Sequence, residues 1–131
     1  MAGFSDYLED KVLNHVFGGT AYTAPSTLYV ALYTAAPSDT GGGTEVSGGS
    51  YARKSMPDMT VSGTDPTTAT NGAAVEFVTA TGSWGTVSHV GVFDALTSGN
   101  LLGWAALTAS KTVSSGDVFR FDAGDLDITL A

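Results

Sequence analysis

Ser88, His89 and Asp94 are the residues with which this chain could do covalent chemistry. A hydroxyl beside an imidazole, with a carboxylate behind it, makes a nucleophile for acyl transfer. The spacing argues against that use. All three lie in residues 83–94, a run rich in β-branched and aromatic residues that reads as a strand. Successive side chains of a strand point to opposite faces, so Ser88 and His89 are not expected to meet. No Gly-x-Ser-x-Gly elbow occurs anywhere in the chain. His89 reads as a strand histidine with a hydrogen-bonded or exposed ring, and His15 as a polar residue near a helix end.

Three other groupings invite chemistry. Asp122, Asp125 and Asp127 gather near one turn and are weak candidates for a hard cation, which wants six to eight oxygens. Their spacing is not that of Asp-x-Asp-x-Asp-Gly, and a solvated acidic edge that discourages strand addition explains them better. The glycines of residues 37–50 suggest a phosphate cradle. Gly-x-x-x-x-Gly-Lys is missing, and neither a lysine nor a helix start follows to receive the anion. Trp84 and Trp104, with Tyr7, Tyr22, Tyr29, Tyr33 and Tyr51, could stack on sugars. In a small β protein, large aromatics more often anchor a core or an interface. The expectation is therefore no catalytic residue, no cofactor and no metal.

Composition narrows the partners. Five Lys+Arg against thirteen Asp+Glu give a formal charge of −8. Such a surface repels phosphate backbones and anionic lipids, so neither nucleic acid nor membrane is an expected partner. No cysteine is present to form a disulfide or ligate a metal. No basic-then-apolar segment resembling a Sec signal opens the sequence, and a protein made in a cytoplasm is expected.

The elements that hold these residues read as follows. Residues 5–17 are the helix candidate. Ser5 caps it, and Asp6, Glu9 and Asp10 suit the positive end of its dipole. Leu8, Val12 and Val16 make one stripe with Leu13 and Phe17 beside them, and Gly18-Gly19 stops it. This helix packs either over the sandwich or onto a neighbouring subunit. Strands are expected at 28–34, 51–61 (interrupted at Pro57), 73–79, 84–94, 101–108, 118–122 and 126–130, with a short extended piece at 111–113. Residues 37–50 and 62–72 read as polar, turn-rich stretches. In the central run, Trp84, Thr86, Ser88, Val90 and Val92 share one face, opposite Val87, His89, Gly91 and Phe93. Apolar residues on both faces near its end predict a strand covered on both sides there. The whole predicts an all-β chain: an antiparallel two-layer β-sandwich, jelly-roll-like, with one N-terminal α-helix. It is expected to be a single domain over 1–131, with a helical arm at 1–19 and the sandwich at 20–131.

Three segments are distinctive in wording. They are "VLNHVFGGTAYTAP" at 12–25, "LYVALYTAAPSDTGGGTEVSGGSYAR" at 28–53, and "WGTVSHVGVFDALTSGNLLGWAALTASKTVSSGDVFRFDAGDLDITLA" at 84–131. Together they resemble a family of small tailed-phage virion proteins, often labelled tail fibre proteins. The resemblance implies a non-enzymatic structural component of the virion, working as one of many copies beside other phage structural proteins. A tail-fibre-associated module is the expected role. A capsid decoration (cement) protein and a carbohydrate- or receptor-binding module are the alternatives. A closed threefold assembly would suit either place and would hide exposed strand edges. The residues expected to face neighbours are Leu8, Val12 and Val16 on the helix, and Gly41, Gly42, Gly43, Glu45, Tyr51 and Arg53 in and after the long loop.

Overall fold

The computed structural model describes residues 4–130, so the first three residues of the expected arm and Ala131 lie outside the described residues. The helix forms where its signals lie. α1 spans Asp6–Val16, and the Ser5 hydroxyl accepts from the Leu8 N–H at 3.2 Å. Asp6 and Glu9 occupy its first turn. Gly18 N–H reaches back to the Leu13 and Asn14 carbonyls at 3.2 and 3.0 Å, and Gly19 takes φ +72°, which ends the helix.

Ten strands follow: β1 (Leu28–Ala35), β2 (Thr44–Glu45), β3 (Lys54–Met56), β4 (Thr60–Ser62), β5 (Thr67–Thr70), β6 (Val75–Glu76), β7 (Gly85–Phe93), β8 (Leu101–Val113), β9 (Arg120–Phe121) and β10 (Asp127–Leu130). The main sheet runs β2-β1-β7-β8, with β3 sharing the β2 edge of β1. Every strand pair is antiparallel. The run 84–94 is central as expected, with β1 on one side of β7 and β8 on the other. Val90, Gly91, Val92 and Phe93 are all buried, which is the two-sided cover its apolar end predicts.

One face of the main sheet carries Val30, Leu32, Val87, Val90, Val92 and Leu102. The β6–β9 pair and its flanks supply the opposing layer through Val75, Phe77, Phe119, Phe121 and Leu126. Burying these side chains is the main source of stability, at about 25 cal/mol per Å² of apolar surface. The other face of the sheet holds a second cluster of Ala31, Tyr33, Phe93 and Leu101, with Tyr29 and Trp104 beside it. Among the described residues the chain is thus mostly β, with layered antiparallel sheets and one helix, and no sheet closes into a barrel.

The structure departs from the pattern in several places. The strand expected at 51–61 splits into β3 and β4, which belong to different sheets, the one expected at 73–79 contracts to Val75–Glu76, and β2 forms inside the stretch 37–50 that reads as a loop. β5 lies inside 62–72, which reads as turns because Thr67, Thr68 and Thr70 lack apolar alternation. It pairs on both sides, with β4 and β10. β8 runs unbroken to Val113, joining the segments expected at 101–108 and 111–113. The strand expected at 118–122 contracts to Arg120–Phe121. Val87 turns to the same core as Val90 and Val92 instead of the opposite face. The cause is a register break: Val87 opposes Lys111, whereas His89 opposes Ala106. Such a bulge resets the alternation beyond it.

Candidate functional site

The best-built polar constellation lies where the long loop returns to the sheet. Glu45, on β2, receives Arg53 in a two-pronged grip: Nη2 on Oε1 and Nε on Oε2, both at 2.9 Å. Tyr51 OH donates to the same Oε2 at 2.7 Å and accepts the Leu32 N–H at 3.0 Å. Arg53 Nη1 donates to the carbonyls of Ala95 (3.0 Å) and Ser98 (2.7 Å). The guanidinium also lies 3.6 Å from the centroid of the Phe93 ring. Planar, fork-shaped and weakly hydrated, arginine alone can satisfy the carboxylate, the carbonyls and the ring together.

The electrostatics follow from burial. Burial works against the Arg53 charge, and the hydrogen bonds and charge of Glu45 override it, so its pKa rises. Burial pushes the Tyr51 phenol well above its ordinary value; the Leu32 N–H opposes this and Glu45 adds to it. Burial, then the Glu45 charge, hold Tyr33 up to about 12. This cluster stores no reactive base or nucleophile. It clamps the loop to the sheet.

The glycines serve the same loop. Gly41, Gly42 and Gly43 take φ of +100°, +76° and +74°, a region that L side chains avoid. Ser38 and Gly41 exchange backbone hydrogen bonds at 2.8 and 2.9 Å, closing a tight turn. The turn docks on the helix start: the Asp39 carbonyl accepts the Asp6 N–H, and its carboxylate accepts Trp104 Nε1, each at 2.9 Å. Residues 4 and 5 lie along β8, with Phe4 opposite Gly103 and the Ser5 hydroxyl donating to the Leu101 carbonyl. Of the residues expected to face neighbours, the structure brings Glu45, Tyr51 and Arg53 together, inward, and sets the three glycines in turn geometry.

The helix divides. Leu8 packs against the core and Val12 is half-buried, but Val16 is 60% exposed, Leu13 58% and Phe17 82%. Around the helix, Glu9, Asp10, Leu13, Val16 and Phe17 fall within one outward sector. β8 is the element against which α1 packs.

Ser88 and His89 require a correction. Their side chains do meet, with Ser88 Oγ 2.8 Å from His89 Nδ1. The register break at this point suspends the alternation that would separate them. Asp94 does not join them: among the described residues it makes no hydrogen bond with His89, and its oxygens accept from Asn100, from the N–H at 2.7 Å and from Nδ2 at 2.9 Å. The His89 ring instead lies 6.1 Å from that of Trp104.

The three aspartates do not converge. Asp122 accepts from Arg120 Nε (2.8 Å), Asp125 from the Asp122 N–H (2.9 Å), and Asp127 from Thr70 Oγ1 (2.8 Å). No group of three or more His, Asp or Glu able to hold a metal occurs among the described residues.

Of the seven tryptophan and tyrosine residues, Trp84 and Tyr33 are buried, whereas Tyr7, Tyr22, Tyr29, Tyr51 and Trp104 are half-buried. Trp84 is 3% exposed and Tyr33 4%, so neither presents a face to a sugar. Tyr51 packs edge-on to Trp84 with centroids 5.3 Å apart, and Trp84 Nε1 donates to the Gly49 carbonyl at 2.9 Å.

Sequence reading missed Asn71, a buried side chain at the root of β5. Its Nδ2 donates to the Ala73 and Asp122 carbonyls at 2.9 and 3.0 Å, and its Oδ1 accepts the Leu126 N–H at 2.8 Å. Asparagine in a Gly- and Thr-rich stretch reads as a turn, and nothing local marks it as buried.

The structure thus combines a loop clamped from within, Trp84 and Tyr33 set in the interior, and an outward apolar helix face. No curated protein matches the chain. The model of the family described as podophage GP4 fiber I protein gp80 matches residues 3–129. The chain belongs to this family of podophage fiber proteins.

Proposed function

We propose that this protein is a non-enzymatic structural subunit of a tailed-phage virion, a fibre-associated module that assembles with copies of itself and with other virion proteins. It is made in the host cytoplasm and carried in the particle. It works as one domain: a rigid β body, an internally clamped loop and a helical arm. The observation that carries the reading is the arm itself. Ser5 and Leu8 root α1 on the body, while Leu13, Val16 and Phe17 stand in solvent. Apolar side chains held outward on an ordered element mark a contact surface. Membership of a fiber protein family supports the fibre-associated reading.

Quantitative mass spectrometry of purified particles tests the placement. A handful to a few dozen copies fits a tail fibre, hundreds would place the protein on the shell, and absence would end the structural reading. For the arm, V16D/F17D should leave the body folded and abolish assembly. These exposed positions are better targets than deletion of 5–17, which would also strip Ser5 and Leu8 from the body.

A further inference from the structure

We propose that Asn71-Gly72 is a site of spontaneous deamidation. While residues 122–126 are undocked the pair converts to aspartate or isoaspartate, and docking of that segment stops the reaction. Asn71 is the one asparagine of the chain that precedes glycine; Asn14 precedes His15 and Asn100 precedes Leu101. Ahead of a glycine the backbone turns freely, and no side chain shields the next nitrogen. In the reaction the Gly72 nitrogen gives its proton to water and attacks Asn71 Cγ. The new C–N bond closes a five-membered imide, the Cγ–Nδ2 bond breaks, and ammonia leaves. Water then opens the imide, giving aspartate from one carbonyl and isoaspartate from the other. Both reacting atoms belong to one dipeptide, so the attack is intramolecular and needs no enzyme.

The fold opposes this chemistry at Asn71 itself, which is 1% exposed. Each of its polar groups is engaged by residues 122–126. Nδ2 donates to the Asp122 carbonyl at 3.0 Å, and Oδ1 accepts the Leu126 N–H at 2.8 Å. The Asn71 N–H donates to the Leu126 carbonyl at 3.1 Å, and its carbonyl accepts the Gly124 N–H at 2.9 Å. During the attack Cγ becomes tetrahedral and Nδ2 departs, which destroys the planar amide that these bonds require. The acid formed would turn an acceptor towards the Ala73 and Asp122 carbonyls, so the folded state penalises the product as well. Position 72 has no structural need of glycine. Its φ lies outside the left-handed region, and a Cβ there would sit 3.4 Å from Thr60 Oγ1, an ordinary contact. A glycine that neither backbone nor packing requires thus stands where it makes the asparagine most reactive. The pair registers whether 122–126 is in place: a chain that closes keeps its amide, and one that lingers open loses the donor it needs to close.

The test ages the full chain natively and in urea, at one mildly alkaline pH and one temperature, and reads each asparagine by peptide mapping in a mass spectrometer. In urea Asn71 should convert faster than Asn14 and Asn100. In native buffer it should convert at least about tenfold more slowly than in urea, because only the opened fraction reacts. Gly72→Ala should keep a native thermal transition and lose most of the conversion in urea. Converted chains, separated by charge and returned to native buffer, should not regain the wild-type unfolding midpoint. Conversion of Asn71 as fast in native buffer as in urea would show that 122–126 gives no protection. A rate in urea no higher than that of Asn14, or unchanged by Gly72→Ala, would show that the glycine confers no reactivity. Converted chains that refold to wild-type stability would show that the change does not withdraw them. Any of these results overturns the proposal.

Discussion

The guanidinium of Arg53 lies over the ring of Phe93, 3.6 Å from its centroid, while it also holds Glu45. One side chain thus joins the loop before β3 to the end of the central strand. The Arg53 side chain is 9% exposed and that of Glu45 25%. Arg53→Ala should cost about 3 kcal/mol, because it leaves a partly buried carboxylate unpaired. Arg53→Lys keeps the charge, loses the fork and weakens the stacking, and should cost about 2 kcal/mol. Thermal melts resolve this order, at roughly 3 to 5 °C per kcal/mol for a chain of this size. Equal stability of the lysine variant and wild type would refute the stacked grip.

Alkaline pH should loosen the same region. Burial first, then the Glu45 charge, place Tyr33 at about 12, above the ordinary 10.0, and Tyr51 is raised as well. A phenol with a raised folded pKa holds its proton more tightly in the native state. Its stabilisation is complete below pH ~10 and is lost as the pH rises through ~12. Denaturant midpoints should be flat between pH 8 and 9 and fall above 10. Tyr51→Phe should lower stability at neutral pH, since the Leu32 N–H loses its acceptor, and should make the alkaline fall shallower.

Asn71→Asp is isosteric yet should be among the most damaging single changes. It replaces a donor facing two carbonyls, at 2.9 and 3.0 Å, with an acceptor. Leaving those groups unpaired in a buried site should cost about 3 kcal/mol or more. Asn71→Ala should cost less than the aspartate, because it removes the repulsion as well as the bonds. Urea unfolding that ranked the two the other way would refute this.

Neighbouring glycines should respond unequally. A Cβ on Gly42 meets open space and suffers only its φ of +76°. On Gly43 it would sit 2.7 Å from the Pro37 nitrogen and 2.8 Å from the Ala35 carbonyl oxygen, both rigid backbone. Gly42→Ala should cost about 1 kcal/mol, and Gly43→Ala clearly more, with faster proteolysis within 37–50. Similar melting points for the two would mean the loop relaxes around the added methyl.

The Ser88–His89 contact gives a direct check on chemistry. With Asp94 engaged by Asn100, Ser88 should be no more reactive than an ordinary hydroxyl. A fluorophosphonate probe should leave the native protein unlabelled, and Ser88→Ala should fold normally. Labelling at Ser88 would reopen the enzymatic reading.

The sequence was legible where the signal is local. Ser5 with Asp6 and Glu9 marks a helix start, and Gly18-Gly19 its end. The β-branched run around Val90 marks the central strand. It was illegible where the outcome depends on what the chain meets far away. Thr67, Thr68 and Thr70 become a strand only because β4 and β10 flank them. The partner of Glu45 could not be read either, since Arg53 comes into reach only once β2 and β3 share one edge of β1. A single register break moved both Val87 and the Ser88–His89 pair off the faces that strict alternation assigns them.

The pairing of β10 with β5 carries a consequence for synthesis. β5 lies near the middle of the chain, and one of its edges is satisfied only by residues 127–130. While the ribosome is still holding those residues in its exit tunnel, that edge is bare in every nascent copy. During this interval the bare edge is open to pairing with other half-made chains, and rare codons upstream of residue 127 would lengthen it.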